Sequence, residues 1–443
     1  MSPKISSRPR STSQPETKKP LRVLLLCAYF PPEIGTASHL FHELAVELVA
    51  RGHTVTVVTG FPRYNVPAEV AARHRGIWRR ECMDGIEVLR VWWPHFRRRS
   101  MIGRGMEHFF AATAIGCRAL GAGRHDVSLV YSPPLTLGIT AWGLARIGRG
   151  SFVLNVQDLF PQSAIDLGAM TSPHQIAFFR WLERSVYKRA ACVTVHSEGN
   201  AEHVRASAGA GTCVAVVPNW VDAQLLQPHP RDPQLLGASG PDGRFVVSFA
   251  GTMGFSQDME TIIRAASLLR QHDDILFLLV GDGVCKEDAQ QLTEELELSN
   301  ITFLPMQPRE KYPQVLATSD ASLVTLKRAV RTPVVPSKLL SIMASGRPAI
   351  VAMSSAGDAP RLVEEARCGL SVPPEDPERM AEAIAALYSD RTLAAQLGDN
   401  GRSYARQHFS VQACAEVYER IFRAVMRGDP PTVAPGDAAS PGH

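Results

Sequence analysis

The sequence predicts an α/β protein of two doubly wound domains that face each other across a cleft. Apolar strand-like runs alternate with amphipathic helical stretches almost throughout the chain. A hydrophilic stretch rich in proline and glycine interrupts the alternation near the middle, and the alternation then restarts. For 443 residues, two sheets are more economical than one large sheet, because large cores usually split into domains.

The first half of the chain contains six predicted strands with helical stretches between them. A helix is expected to begin near Ser38, after the first strand and a loop containing glycine. The predicted strands are residues 21–27, 54–59, 126–132, 151–157, 191–197 and 213–222. We place the first domain at residues 21–224. Residues 1–20 form a polar, basic arm that is expected to be disordered and lacks the apolar core of a secretory signal.

The second half begins after the stretch QPHPRDPQLLGASGPDG. Its predicted strands are residues 245–251, 275–281, 301–305, 321–326 and 348–352. We place the second domain at residues 225–408. An amphipathic helix at 409–427 follows, and the tail at 428–443 is expected to be disordered.

Composition argues against several classes of protein. No apolar run approaches the roughly eighteen residues of a membrane-spanning helix. None of the eight cysteines forms a CxxC pair, and several lie in apolar strand-like runs. This favours buried free thiols in a reducing cytoplasm over a disulfide framework or a zinc site. The net charge is only +4, and nothing in the sequence resembles a nucleic-acid-binding module.

Several glycines follow predicted strands, at the edge where open parallel sheets bind ligands. Gly35 in FPPEIGTASH, Gly251 in FAGTMG and Gly281 in LLVGDG leave room for a ligand to lie against the backbone. Each signal is weak alone. Gly35 can serve only a turn, and plain turn chemistry is the better explanation for Gly281-Asp282-Gly283. No GxGxxG fingerprint follows the first strand.

The segment PSKLLS is a sharper signal for a bound anion. Pro336 fits near a helix start, Ser337 can cap the helix, and Lys338 falls in its first turn. A lysine there opposes the helix dipole, which makes sense if an anion binds to both; a solvated lysine is the alternative. A cation-rich loop that includes Arg331 lies just upstream. We expect a diphosphate here, and chemistry without a metal or other cofactor, because no D-x-D sequence occurs.

These motifs together resemble the GT-B glycosyltransferases of glycosyltransferase family 4. The bacterial branch that builds O-antigen, capsule and colanic-acid-type polysaccharides is the most similar. The resemblance covers about residues 21–427 and rests on YFPPEIGTAS, VQDLFP, FAGTMG, LVGDG and VPSKLLSIMASGRPAIVA. It implies two facing Rossmann-like domains, a donor nucleotide held mainly by the second, and a final helix that crosses back to the first. It also implies retention of anomeric configuration, generally without a metal.

The resemblance suggests which residues form the site. We assign catalysis to Asp158, Lys338 and Glu33, with helix capping as the alternative role for Asp158. We assign donor binding to Gly35, Thr36, Gly251, Thr252, Gly281, Asp282, Met306, Gln307, Arg331, Ser337 and Leu339.

Departures from the family pattern affect the donor site. The usual pair of glutamates seven residues apart falls at Pro333 and Ser341, so both are missing and the contact to the donor ribose is altered. The usual arginine and lysine of the second domain's first loop are Thr252 and Gln257, and the usual cleft histidine is Gln157. Lys338 therefore remains as the cation for the diphosphate.

Positive charge is concentrated in the first domain. Residues 71–104 contain nine arginines and three acids, so this segment carries +6 while the rest of the chain carries −2. Trp92 and Trp93 precede Arg97, Arg98 and Arg99, and an apolar helix follows. This combination is typical of a segment at a membrane interface, with solvated surface as the alternative. We expect a cytoplasmic protein that contacts the inner face of the plasma membrane.

The expected function is that of a retaining glycosyltransferase that moves an acetamido sugar from a UDP-sugar to a polyprenyl-diphosphate-linked acceptor. The expected partners are a nucleotide-sugar donor, a lipid-linked glycan acceptor and an anionic membrane surface, without nucleic acid. A nucleotide-sugar epimerase on a similar scaffold is one alternative, although it would need paired acids and a histidine in the cleft. A member that binds donor or membrane without turnover is another, which the missing glutamates permit.

Overall fold

The computed structural model describes residues 19–33, 35–63, 66, 68–74, 76–94, 101–166, 168–209, 211–222, 225–232, 235, 243–330 and 334–431. Four residues of the predicted sites lie outside these ranges: Arg97, Arg98, Arg99 and Arg331. Most of both predicted terminal arms also lies outside them.

The first domain is an eight-stranded sheet covered by helices on both faces. Its strands are β1 (Arg22–Leu26), β2 (Thr54–Gly60), β3 (Trp78–Met83), β4 (Ile86–Val91), β5 (Val127–Ser132), β6 (Ser151–Val156), β7 (Cys192–Val195) and β8 (Val214–Val216). Its helices are α1 (Thr36–Ala50), α2 (Ala68–Arg73), α3 (Met101–Leu120), α4 (Thr136–Arg146), α5 (Gln162–Asp166), α6 (Pro173–Tyr187) and α7 (Glu198–Ala208). The strand order is β3-β4-β2-β1-β5-β6-β7-β8.

The second domain is a parallel sheet of six strands with the strand order of a Rossmann fold. Its strands are β9 (Phe245–Ala250), β10 (Ile275–Val280), β11 (Ile301–Leu304), β12 (Ala321–Thr325), β13 (Ala349–Ala352) and β14 (Gly369–Val372). Its helices are α8 (Met259–Leu268), α9 (Lys286–Glu295), α10 (Tyr312–Thr318), α11 (Ser337–Ala344), α12 (Asp358–Ala366), α13 (Pro377–Ser389) and α14 (Arg391–His408). The sheet order is β11-β10-β9-β12-β13-β14.

The two doubly wound sheets confirm the predicted fold class. β9 and β10 bury every residue, as central strands of a parallel sheet covered on both faces do. Three strands escaped the sequence analysis: β3, β14 and the mostly buried β4, whose run IEVLRV is apolar. β3 pairs antiparallel to β4 at the sheet edge and is mostly exposed, so it has no apolar run to reveal it. β14 is short and begins at Gly369, where a Cβ would lie 1.9 Å from the carbonyl oxygen of Ala349.

The last helix, α15 (Val411–Arg427), packs on the first domain after leaving the second. Its apolar side chains join the core beneath α1, and the buried Asn155 amide donates a hydrogen bond of 2.8 Å to the Tyr418 hydroxyl. The chain thus crosses between the domains twice. The crossings lie side by side, because the N–H of Val221 donates to the carbonyl of Phe409 and Val221 forms a parallel bridge with Ser410.

Three described arginines of the basic segment pair with two of the segment's own acids, which the sequence analysis did not foresee. The fully buried Arg90 bonds Glu81 at 2.6 Å. Arg79 lies 3.2 Å from the same carboxylate, and Arg80 pairs with Glu87. The buried Arg90 therefore adds no positive charge to the surface, whereas Arg79 and Arg80 remain exposed.

Trp93 corrects the membrane prediction. Its ring is buried, with 6% of the residue exposed, because it packs against Gly60 beneath the guanidinium of Arg63, 5.1 Å away. A membrane cannot reach this ring. Trp92 is half-exposed. No helix in the described ranges is long and apolar enough to cross a bilayer.

Glu419 ties α15 to the first domain. Its carboxylate accepts hydrogen bonds from His53 (2.7 Å) and Arg51 (2.8 Å). Burial alone would raise the pKa of Glu419, but these two hydrogen bonds hold it below its ordinary value. A carboxyl with a depressed folded pKa stabilises the fold above its unfolded pKa and loses that contribution as the pH falls through the folded pKa.

We expect Glu419→Gln to lower the free energy of unfolding by about 2 kcal/mol at pH 7, because it breaks charge-assisted hydrogen bonds. The difference from the native chain should shrink as the pH falls below the ordinary carboxyl range. Urea denaturation at pH 7 and pH 3 measures both effects. Glu416→Gln on the same helix is the control, since Glu416 pairs only at the surface with Arg420. Equal losses from both substitutions would contradict the prediction.

Candidate functional site

The carboxyl ends of strands from both sheets border one cavity of about 420 Å³. The first domain contributes the start of α1, the second contributes the loops after β9, β10 and β11 and the start of α11, and the first crossing between the domains forms a wall. The lining residues are Gly35, His39, Leu40, Glu43, Asn219, Trp220, Val221, Asp222, Leu225, Leu226, Ala250, Gly251, Thr252, Val280, Met306, Gln307, Tyr312, Ser337, Lys338 and Ser341.

The start of α11 is open to a ligand. Pro336 occupies the N-cap position, and no side chain caps the helix, so the predicted capping role of Ser337 is wrong. Ser337 is instead the first helical residue and is exposed. Uncapped N–H groups at a helix start attract anions through the helix dipole. Leu339 contributes no side chain to the cavity, because its side chain is fully buried in the core and its N–H bonds the carbonyl of Pro336.

Lys338 places an ammonium in this cavity without a charged partner among the described residues. The Nζ atom donates 2.8 Å to the neutral amide oxygen of Gln257 and lies 4.0 Å above the ring of Phe249. Burial lowers the pKa of the Lys338 ammonium to about 7. A cation in such surroundings is stabilised by an incoming anion, which supplies the missing opposite charge.

Two predicted glycines have different roles. Gly251 adopts a positive φ of 143°, and a Cβ there would lie 3.5 Å from the Nζ of Lys338, so this glycine borders the ammonium. Gly281 serves packing, because a Cβ there would lie 1.9 Å from the carbonyl oxygen of Gly251. Asp282 accepts from the N–H of Met306 and pairs with Lys286, which matches the turn explanation rather than donor binding. Neither Gly281 nor Asp282 lines the cavity.

The structure brings together most of the remaining predicted donor residues. Gly35, Gly251, Thr252, Met306, Gln307 and Ser337 all line the cavity with Lys338. Thr36 begins α1 beside them, but its side chain lies outside the description. The cavity therefore combines glycine loops, an uncapped helix start and a partly buried ammonium, which suits a ligand carrying phosphates.

Two family models match the chain. "Glycosyl transferases group 1" matches residues 238–404, and "Glycosyl transferase 4-like domain" matches residues 35–220. Together the two models cover most of both domains, and the chain belongs to these glycosyltransferase families. This confirms the family resemblance, and it means that the cavity described above lies where the two domains of a transferase meet.

Known relatives and a solved structure agree with this assignment. The Pseudomonas aeruginosa protein named as the glycosyltransferase WbjE is 25% identical over 75% of this chain and 83% of its own. The Escherichia coli protein named as the colanic acid biosynthesis glycosyl transferase WcaI is 25% identical over 84% of this chain and 96% of its own. Anabaena HepE in complex with UDP and glucose superposes with a TM-score of 0.66 at 19% identity, covering 91% of this chain and all of that one.

Of the cavity residues that the sequence analysis missed, Tyr312 and Asn219 form side-chain hydrogen bonds at the cleft. Tyr312 lies beside Ser341, whose hydroxyl also donates to the carbonyl of Ser337. Burial raises the pKa of Tyr312 to about 12, although a hydrogen bond with Ser341 opposes the shift. Nothing in the local sequence marks Tyr312, because it comes close to Ser341 only through the tertiary fold.

Asn219 is the second of these missed residues. It lies in the first crossing and forms a reciprocal amide pair with Gln157, with both hydrogen bonds at 2.8 Å. Gln157 occupies the position of the family's usual cleft histidine. The sequence analysis places Asn219 within the predicted strand 213–222, but β8 ends at Val216, so PNWVD follows the strand and falls at the cleft edge.

The two predicted catalytic acids lie outside this cavity. Asp158 follows β6 and forms a hydrogen bond with Ser163, so it fixes the start of α5, and burial raises the pKa of its carboxyl. Glu33 is buried, and its carboxylate accepts from the N–H groups of Phe30 (3.3 Å) and Arg63 (2.9 Å). It therefore shapes the loop before α1, and the catalytic assignment of Glu33 is not supported by its position.

The buried ammonium should make the donor-free transferase less stable. The folded pKa of Lys338, about 7, lies below the ordinary 10.5, so the unfolded chain binds more protons between these pH values and stability rises with pH there. We expect Lys338→Met to raise the free energy of unfolding by about 1 to 2 kcal/mol at pH 7. This is less than the free energy that the whole pKa shift corresponds to, because part of the residue contacts solvent.

Guanidinium denaturation at pH 7 and pH 10 checks this, because the advantage of Lys338→Met should shrink at the higher pH. Lys188→Met, which removes an exposed lysine of the first domain, is the control and should change little. A Lys338→Met protein less stable than the native chain at pH 7 would refute the description of this ammonium as an uncompensated charge.

Proposed function

We propose that this transferase moves a sugar from a UDP-sugar, with retention of anomeric configuration and without a metal, to a polyprenyl-diphosphate-linked acceptor in bacterial surface polysaccharide synthesis. The observation that carries the proposal is the Lys338 ammonium, which has no described carboxylate partner and lies beside an uncapped helix start in the inter-domain cavity. A diphosphate supplies the charge that both groups lack.

Donor binding and the charge of Lys338 are coupled in this proposal. In the donor-free protein, burial holds the pKa of Lys338 well below its ordinary value and so disfavours the charged form. A diphosphate beside it favours the charged form and raises the pKa again. Lys338 is then a full positive charge when the bond between sugar and diphosphate breaks, which is when negative charge grows on the leaving oxygen.

The reaction step follows from this placement. The bond between the anomeric carbon and the diphosphate oxygen breaks, and the acceptor hydroxyl forms a new bond to that carbon on the same face. The hydroxyl proton passes to the departing diphosphate, so UDP leaves and the charges balance. Lys338 and the N–H groups at the start of α11 hold the leaving group, and the start of α1 around Gly35 bounds the cavity from the other domain.

The ribose of the donor lies, in this proposal, against Ser341 and Tyr312. The family's ribose-binding glutamate is absent at Ser341, but the two hydroxyls line the cavity next to one another and form a hydrogen bond. They provide donors and acceptors for ribose hydroxyls without adding a negative charge near the diphosphate.

The choice of UDP is supported by HepE, which was solved with UDP and glucose. The polysaccharide role is supported by the name of WcaI, a colanic acid biosynthesis glycosyl transferase. The acetamido sugar and the lipid-linked acceptor come from the sequence resemblance. The location at the inner face of the plasma membrane comes from the concentration of arginine and tryptophan in the first domain.

Release of UDP tests the function directly. We expect UDP release from UDP-N-acetyl sugars only when a polyprenyl-diphosphate-linked saccharide is added, and a product whose anomeric configuration by NMR matches the donor. An isomerised donor without acceptor would indicate an epimerase. Binding of UDP without release under any acceptor would indicate a non-catalytic member, and an inverted product would contradict retention.

Lys338→Ala should lower kcat/KM for the donor by about a hundredfold or more, because it removes a charge that acts on the leaving group. UDP binding measured by calorimetry should weaken as well. Lys286→Ala is the matched control: Lys286 pairs with Asp282 outside the cavity, and its loss should leave kcat/KM unchanged. Unchanged kinetics in Lys338→Ala would remove the phosphate role.

A further inference from the structure

Besides Met106 and Leu120 of α3, six large apolar side chains are exposed on three helices of the first domain. They are Phe109 and Phe110 of α3, Ile139 and Trp142 of α4, and Phe178 and Trp181 of α6, with exposed fractions between 37% and 62%. We call these six residues the three-helix apolar face. Five of the six are aromatic, whereas large aromatic rings on a soluble surface are usually covered.

The three helices form one continuous surface. The hydroxyl of Thr136 donates 3.1 Å to the carbonyl of His108, and that of Thr140 donates 2.9 Å to the carbonyl of Ala112, so α4 lies directly against α3. On its other side α4 approaches α6, because a Cβ at Gly138 would lie 2.2 Å from Val186. All three helices pack on the same face of the first sheet.

The three-helix apolar face lies towards the cleft end of the domain. Each helix connects two parallel strands, so it begins at the carboxyl edge of the sheet and runs back along it. Phe109, Ile139 and Phe178 fall in the first halves of their helices. This apolar surface is therefore nearest to the edge that also borders the inter-domain cavity.

The charges around this face are positive. Arg146, Arg180, Arg184 and Lys188 are exposed on or next to α4 and α6. Arg189 lies 4.9 Å above the ring of Trp142.

The acids of the three helices do not offset these cations. Among their described side chains there are two carboxylates. Glu183 is buried, and Glu107 is partly buried and interacts electrostatically with Arg63. The described surface of the three helices thus combines aromatic rings with cations and presents no fully exposed acid.

We propose that the three-helix apolar face docks on an anionic lipid bilayer. Aromatic rings partition into the headgroup region and the cations around them attract anionic lipids, so one surface serves both interactions. A second copy of the chain is a poorer occupant, because a symmetric contact would bring like charges together. The proposal assigns the membrane contact to α3, α4 and α6 instead of Trp92 and Trp93, and it goes beyond the transfer reaction itself.

Sedimentation of the full chain with vesicles tests the assignment. We expect binding to vesicles of phosphatidylglycerol and phosphatidylcholine, and much weaker binding to phosphatidylcholine alone. Phe178→Ser with Trp181→Ser should reduce binding by about tenfold or more, since two interfacial aromatic rings are lost. Trp142→Ser on α4 is a second, independent variant. Trp78→Ser is the matched control, because Trp78 is an exposed tryptophan on β3 and packs under Arg118 of the last turn of α3.

Quenching of tryptophan fluorescence by brominated lipids measures contact between the rings and the bilayer. A loss of protein stability would not produce the same pattern of quenching. We expect quenching in the native chain and in Trp78→Ser, and most of it lost when both Trp142 and Trp181 are replaced. Equal vesicle binding by all variants would overturn the proposal, as would a dimer by light scattering that Trp181→Ser dissociates. UDP release with a short-chain, water-soluble acceptor should persist in every variant, so failure of the transfer reaction remains distinguishable from failure of docking.

Discussion

The pairing of the two crossings between the domains sets the geometry of the cleft. Val221 of the first crossing is bonded to Phe409 of the second, and the neighbouring Asn219 is bonded to Gln157 at the end of β6. The same crossing forms a wall of the cavity. The position of α1 relative to α11 therefore depends on these hydrogen bonds and on the packing of α15. A motion of one domain relative to the other that opens the cavity must rotate about the two crossings.

The neutral partner of Lys338 is the amide of Gln257. In the proposed function, this partner explains how one lysine can bind a diphosphate although the family's usual arginine and lysine of the same domain are replaced. A carboxylate at Gln257 would pair with the ammonium and remove its need for an anion. The amide instead orients Nζ and leaves its charge uncompensated. In the proposed function, an incoming diphosphate supplies the missing opposite charge, and removal of this burial penalty contributes to the free energy of donor binding. The uncompensated charge is expected to lower the free energy of unfolding of the donor-free protein, and such a loss of stability is common at functional sites.

Most of the fold could be predicted from the sequence because buried parallel strands are continuous apolar runs and their loops contain glycine. The orientation of side chains at loops and helix starts could not. Leu339 and Ser337 are neighbours at one helix start, yet one is buried in the core and the other is exposed. Trp93 and Glu33 were misplaced because their partners, Gly60 and Arg63, lie at the end of β2 and in the loop after it, about thirty residues away along the chain. Gly35, Gly251 and Lys338 do line the cavity as predicted, whereas Gly281 does not.

The direction of the helices connects the two surfaces of the first domain. In a parallel sheet with right-handed connections, the start of every helix and the end of every strand share one edge. The residues that border the cavity at the start of α1 and the exposed apolar side chains in the first halves of α3, α4 and α6 therefore belong to the same end of the domain. An acceptor anchored in a bilayer carries its reactive sugar close to the membrane surface. A domain built in this way can place that surface and the cleft side by side without any additional element.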